Sequence, residues 1–170
     1  MQTLFSKRKL KEATVDWLVE KHNFNVLGTI TFKQRVRHPN GLIEICTREK
    51  LEETCLEVGR RIKKNLKSKY GKEVKDIYWI TSIENGHGDK RFHAHMLFER
   101  PMQIDLLDFE SAFSDVCSRM DKIDKRIDLR ELENRGGDCK IAATTYILKE
   151  GPDAISWSCS FPHFSLTGRQ

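Results

Sequence analysis

Apolar positions recur along this chain with two different periods, and the alternation between them lays out the elements. Residues 25–32, NVLGTITF, alternate strictly: Val26, Gly28, Ile30 and Phe32 fall on one side, Leu27, Thr29 and Thr31 on the other. A period of two predicts a half-buried strand. From residue 47 to 69 the period lengthens: Leu51, Cys55, Val58, Ile62 and Leu66 recur every three or four positions, with Glu49, Glu52 and Glu53 early and lysines late. This predicts an amphipathic helix whose charges follow its dipole. Residues 76–84 and 92–99 return to period two and are joined by the polar, glycine-containing NGHGDKR, which predicts a β-hairpin.

A helix is predicted over 103–120, with Leu106, Phe109, Phe113, Val116 and Met120 inward, and a strand over 126–132. A last helix is expected over 139–149, announced by Asp138 as N-cap and stopped by Gly151 and Pro152. Its expected buried stripe is Ile141, Thr145 and Leu148. A short helix over 9–22 precedes the first strand, and HPNG at 38–41 marks a turn. The order β–α–β–β–α–β–α implies an α+β fold: an antiparallel sheet with helices mainly on one face and the other face open. The tail from Asp153 mixes Trp157, Phe161 and Phe164 with serines, and its pattern predicts no element.

Composition changes this picture little. The chain of 170 residues is expected to form a single domain, with a core of about 25–150 flanked by the first helix and the tail. No segment approaches the roughly 20 apolar residues of a membrane span, so no membrane partner is expected. MQTLFSKRKLKEA lacks the apolar region of a secretory signal. Cys46, Cys55, Cys117, Cys139 and Cys159 form no CxxC pair and suit a reducing compartment.

Charge matters more for its placement than for its total of +5. KRKLK occupies 7–11, and RRIKKNLKSK at 60–69 carries six basic residues and no acid. Such a stripe is either a solvated helix face or a set of phosphate contacts, in which case Arg60, Arg61, Lys63, Lys64 and Lys67 are the DNA-binding candidates.

Two constellations bear chemistry. In FHAHMLF, residues 92–98, alternation places Phe92, Ala94, Met96 and Phe98 on a core face and His93 with His95 on the other. The pair fits an exposed sheet face or half of a metal site. On the preceding strand Ile77, Trp79, Thr81 and Ile83 form the more apolar set, so Ser82 and Glu84 are expected beside the histidines. Two imidazoles and one carboxylate leave open positions on a divalent cation. The second constellation, ATTYILKEG, sets Tyr146 and Lys149 one helical turn apart. This pair is either a boundary aromatic with a helix-terminal cation, or a nucleophile with its charge partner.

FHAHMLF followed by YILK, with LGTITF upstream, resembles the HUH endonuclease superfamily, named for His-hydrophobic-His. Within it, the sequence is similar to single-tyrosine rolling-circle replication initiators. The likeness spans residues 25–150 and implies a ferredoxin/RRM-like sheet. It further implies that Glu84, His93 and His95 bind Mg²⁺ or Mn²⁺. Tyr146 would attack a phosphate of single-stranded DNA to form a 5′-phosphotyrosine link, with Lys149 neutralising charge beside it. Single-stranded DNA, in one form a hairpin at a replication origin, is the implied partner. There is no second tyrosine three or four residues beyond Tyr146 and no GxxxxGK[ST] motif. Helicase and polymerase would therefore be supplied in trans. The implied setting is a prokaryotic cytoplasm, or a host nucleus for a eukaryotic virus. A single-tyrosine transposase of the same superfamily, and a non-catalytic nucleic-acid-binding domain, are the alternatives.

Overall fold

The two hydrophobic periods become a sheet with a helical layer on each side. The computed structural model describes residues 4–71, 76–84, 91–132, 138–149 and 151–161. The elements in chain order are α1 (Leu4–Lys21), β1 (Val26–Phe32), β2 (Arg35–Arg37), β3 (Ile43–Ile45), α2 (Arg48–Tyr70), β4 (Tyr78–Glu84), β5 (His93–Glu99), α3 (Leu106–Ser118), β6 (Ile123–Glu131) and α4 (Asp138–Ile147). A four-stranded antiparallel sheet runs β4-β5-β1-β6, and β2 pairs with β3 alone. The fold is α+β, as the element order implies. Among the described residues no helix is long and apolar enough to cross a membrane. Residues 85–90 of the NGHGDKR loop, the side chain of Asp138 and the tail beyond Phe161 lie outside the described residues.

The main core forms where the predicted apolar faces meet. Val26, Ile30 and Phe32 of β1, Trp79 of β4 and Ala94, Met96 and Phe98 of β5 face Leu51, Cys55, Val58, Ile62 and Leu66 of α2 and Phe109, Phe113 and Val116 of α3. Two glycines permit this contact. A Cβ on Gly28 would lie 2.8 Å from the Phe113 ring, and one on Gly59 would lie 2.3 Å from the Trp79 indole. Trp79 is fully buried, with its Nε1–H donating to Cys159 O at 2.8 Å.

The other sheet face is less open than the sequence implies. α1 and α4 place Val15, Leu18, Ala143, Ile147 and Leu148 over Ile80 and Leu97. Of the stripe expected on α4 only Leu148 is buried; Ile141 and Thr145 are exposed, and Ala143, Thr144 and Ile147 are buried instead. The run of alanines and threonines leaves this helix without a strong apolar period, so its docking on β5 and α1 decides which side is buried. After α4 the chain turns along the outer edge of β4. Phe161 exchanges both backbone hydrogen bonds with Trp79, and Ser156 N–H donates to Thr81 O at 2.8 Å. The tail thereby pairs the open edge of the sheet.

The β2/β3 hairpin was legible only as its HPNG turn, because three-residue strands are too short to display alternation. Its turn carries Gly41 at φ +83, a left-handed conformation suited to glycine. Val36 and the following Cys46 enter the main core. Glu44 fastens the same side, with its carboxylate 2.8 Å from Lys50, 3.0 Å from His38 and 3.4 Å from Lys122. Lys50, then His38, holds its pKa down to about 2.

Gly59→Ala tests the close approach of α2. Helix propensity alone favours alanine by about 1 kcal/mol, but the added methyl overlaps a buried indole. We expect a net loss of about 1–3 kcal/mol in urea denaturation, whereas an unchanged or raised midpoint would refute the contact. For Glu44 the folded pKa lies below the unfolded value near 4.5. Its contribution is therefore complete above the unfolded value and is lost as pH falls towards about 2. Carboxyl NMR should show Glu44 titrating near 2; a midpoint close to the unfolded value near 4.5 would show the hairpin unfastened.

Candidate functional site

β5 is interior to the sheet, so the two histidines are flanked from both sides. Register aligns His95 with Ser82 on β4 and Thr29 on β1, and His93 with Glu84 and Thr31. Residues directly opposite in a sheet share a face, which produces two cross-strand rows, Thr29–His95–Ser82 and Thr31–His93–Glu84. In each row the threonine Oγ1 lies 3.2 Å from the histidine Nδ1. A hydroxyl can donate to Nδ1 or accept from Nδ1–H, so this contact orients the ring in either neutral tautomer and leaves Nε2 pointing elsewhere.

The rows are tied diagonally by Glu84, whose Oε1 lies 3.2 Å from His95 Nε2. The same oxygen lies 2.7 Å from Lys149 Nζ. It is buried, and neither nitrogen meets it in the alignment of a hydrogen bond. Ser82 Oγ, in the His95 row, is also buried without a hydrogen-bond partner. Glu84 raises the Lys149 pKa and keeps the ammonium charged. Burial lowers the His95 pKa, with Glu84 opposing it, and so favours the neutral imidazole that ligates metals.

Tyr146 and Lys149 reach this point from α4. The helix closes its last turn tightly: Lys149 N–H donates to Tyr146 O at 3.0 Å and Gly151 N–H to Leu148 O at 2.8 Å. The predicted helix therefore stops at Ile147, and Lys149 sits in the turn. Its Nζ lies 4.6 Å from the Tyr146 ring centre. The Tyr146 ring meets His95 edge-on, with centroids 5.0 Å apart and planes at 78°. Tyr146 is 44% exposed while His95 beneath it is buried, so the phenol covers the histidine and still faces solvent.

Four of the five residues singled out for chemistry, Glu84, His95, Tyr146 and Lys149, are thus brought into contact from β4, β5 and the end of α4. His93 lies beside Glu84 in the ladder and is hydrogen-bonded to Thr31. Among the described residues no group of three or more His, Cys, Asp or Glu side chains converges as a metal cluster. The basic stripe is not part of this constellation. α2 packs on the opposite face of the sheet, where Arg60, Lys63, Lys64 and Lys67 line a groove of about 590 Å³ with Trp79 and Phe161. There Lys63 and Lys67 share Asp76, and Arg61 pairs with Glu57.

Thr29, Thr31 and Ser82 complete the site without having been assigned a role from sequence. The signal was present: the alternation of LGTITF puts both threonines on the histidines' side of the sheet. Comparison of the chain with protein-family models, with curated proteins and with solved structures finds no match in any of the three.

A double-mutant cycle measures how far the site is coupled. Lys149→Met leaves the buried Glu84 oxygen without its counter-charge. Because Lys149 is partly solvated, the expected cost is only about 1 kcal/mol. Adding Glu84→Gln should recover at least about half of it. Additive losses would show a screened surface contact instead.

Proposed function

We propose that this protein nicks and rejoins single-stranded DNA through a covalent tyrosine intermediate, initiating rolling-circle replication of a plasmid or virus. The observation that carries the reading is the convergence of Tyr146 and Lys149 on the Glu84–His95 contact. A phenol, an ammonium, a carboxylate and an imidazole from elements distant in sequence meet on one sheet face.

A divalent cation suits this donor set. Glu84 supplies a buried carboxylate oxygen beside His95 Nε2, His95 favours its neutral form, and both histidines have Nδ1 engaged by threonine. Glu84, His93 and His95 would hold the cation, which would supply Lewis-acid polarisation of a phosphate oxygen. With the charge of Glu84 balanced in that way, Lys149 becomes available to the attacked phosphate.

Tyr146 Oη is the nucleophile. Its bond to phosphorus forms as the bond from phosphorus to the 3′ oxygen breaks, giving a 5′-phosphotyrosine and, after proton uptake, a free 3′-OH. The phenolic proton leaves to solvent, which the exposure of Tyr146 permits. Lys149 Nζ, 4.6 Å from the Tyr146 ring centre, is placed to offset the negative charge that builds at the attacked phosphate. The phosphotyrosine conserves the energy of the broken bond, so a later 3′-OH can reverse the reaction and join DNA without ATP.

With labelled single-stranded DNA and Mn²⁺, the wild type should form a covalent adduct that Tyr146→Phe and added chelator each abolish. His93→Ala with His95→Ala should likewise prevent cleavage while retaining much of the charge-driven DNA affinity. Tight binding without cleavage under any divalent metal would favour a non-catalytic nucleic-acid-binding domain. An adduct formed by Tyr146→Phe would remove the assigned nucleophile.

A further inference from the structure

Two nitrogens of the chain converge on Glu84 Oε1, Lys149 Nζ at 2.7 Å and His95 Nε2 at 3.2 Å, and they are held very differently. His95 is buried, engaged at Nδ1 by Thr29 and covered by the Tyr146 ring. The Lys149 side chain is 41% exposed, and Glu84 is its one ion-pair partner among the described residues. Its ammonium ends a flexible four-carbon stem rooted in the turn that closes α4, and lies 4.6 Å from the Tyr146 ring centre. The carboxylate suited to a divalent cation is thus paired with the one charged group of the site that is free to swing away.

We propose that Lys149 competes with a divalent cation for Glu84, and that this competition makes metal and single-stranded DNA bind cooperatively. The inference rests on the tyrosine chemistry proposed above and concerns the regulation of that same site. Like charges in such proximity disfavour each other, so Lys149 cannot keep its place on Oε1 while Glu84 ligates a dication. His95 is fixed, so the lysine gives way and swings towards solvent beside Tyr146. There a DNA phosphate gives the ammonium a new partner. In the opposite order, DNA bound first draws Lys149 off Glu84 and leaves the carboxylate free for the ion. Each ligand removes a cost that the other would otherwise meet, and by linkage the gain in affinity is the same in both directions. Until one of them binds, Lys149 remains on Glu84, and the charge that serves the phosphate is withheld from it.

Mn²⁺ binding followed by electron paramagnetic resonance, without DNA or turnover, reads the competition directly. Lys149→Met should tighten Mn²⁺ about fivefold or more, because the ion pair and the repulsion are both removed, and Lys149→Gln should act in the same direction. Lys140→Met takes the same charge from the same helix at a place where the lysine meets Asn23, and should change the affinity less than about twofold. The coupling is read with a single-stranded oligonucleotide in a Tyr146→Phe background, which keeps binding apart from cleavage. Saturating Mn²⁺ should tighten the oligonucleotide several-fold more with Lys149 present than with Lys149→Met added. Unchanged or weaker Mn²⁺ affinity in both Lys149 variants would overturn the proposal, as would equal tightening by Lys140→Met, equal coupling with and without Lys149, or no Mn²⁺ binding by any of these proteins. Tighter Mn²⁺ binding by Lys149→Met in a protein that forms no covalent adduct would remove the cleavage reading and leave the competition standing.

Discussion

The register of β5 between β4 and β1 is the constraint on which the site depends. With partners on both edges, a one-residue slip would move His93 and His95 into the main core and bring Phe98 and Met96 out. The core prevents that slip. Phe98 packs edge-on against Phe109 and Phe113 at 5.3 Å and 6.1 Å between centroids, and Phe113 in turn fills the space left by Gly28. One set of side chains therefore fixes the other. The apolar face of β5 places the imidazoles, and the same register sets threonine on one side of them and Ser82 or Glu84 on the other.

The second helical layer adds what a bare sheet lacks. α4 is held down by Ala143, Ile147 and Leu148 against α1, Ile80 and Leu97, and this contact sets where its exposed residues point. Tyr146 is next to Ile147 and Lys149 next to Leu148, so the depth of the apolar anchors determines the height of the phenol above His95. α1, through Val15 and Leu18, packs in the same cluster as Ala143, Ile147 and Leu148 and so supports the helix that carries Tyr146. The basic groove along α2 is separated from this chemistry by the full thickness of the sheet.

Much of this was readable in the sequence where a period ran long enough to have one meaning. β1, α2, β4, β5 and α3 each bury the side their alternation predicts, and Glu84 meets His95 because period two in both strands puts them on one face. Legibility failed where the signal was short or chemically neutral. β2 and β3 have three residues each, too few to distinguish alternation from chance. α4 is rich in alanine and threonine, which bury or face solvent with little preference, so α1 and β5 chose its side. The edge pairing of Phe161 with Trp79 depends on a chain segment whose composition favours no element. Thr29 and Thr31 were on the right face, but only the register shows each threonine opposite a histidine.

The polar layout of the site has a physical cost. Ser82 Oγ is buried without a hydrogen-bond partner, at a cost of about 1–3 kcal/mol relative to a satisfied hydroxyl, and Glu84 holds a carboxylate in the sheet against Lys149 Nζ at 2.7 Å and His95 Nε2 at 3.2 Å. A strand evolving for stability alone would place valine or threonine pairs in these rows, as β-propensity favours. The main core, with Trp79, Phe98, Phe109 and Phe113 fully or nearly fully buried, supplies the stability that lets the second face tolerate them. Departures from local optimality in a well-packed fold concentrate where a ligand or a reaction completes the missing contacts. Here the polar atoms gathered are the Glu84 carboxylate and the His95 imidazole, beneath a solvent-facing phenol and the Lys149 ammonium. Under the proposed function, a cation at Glu84 and a phosphate at Lys149 would replace the ion pair that the carboxylate and the ammonium now share.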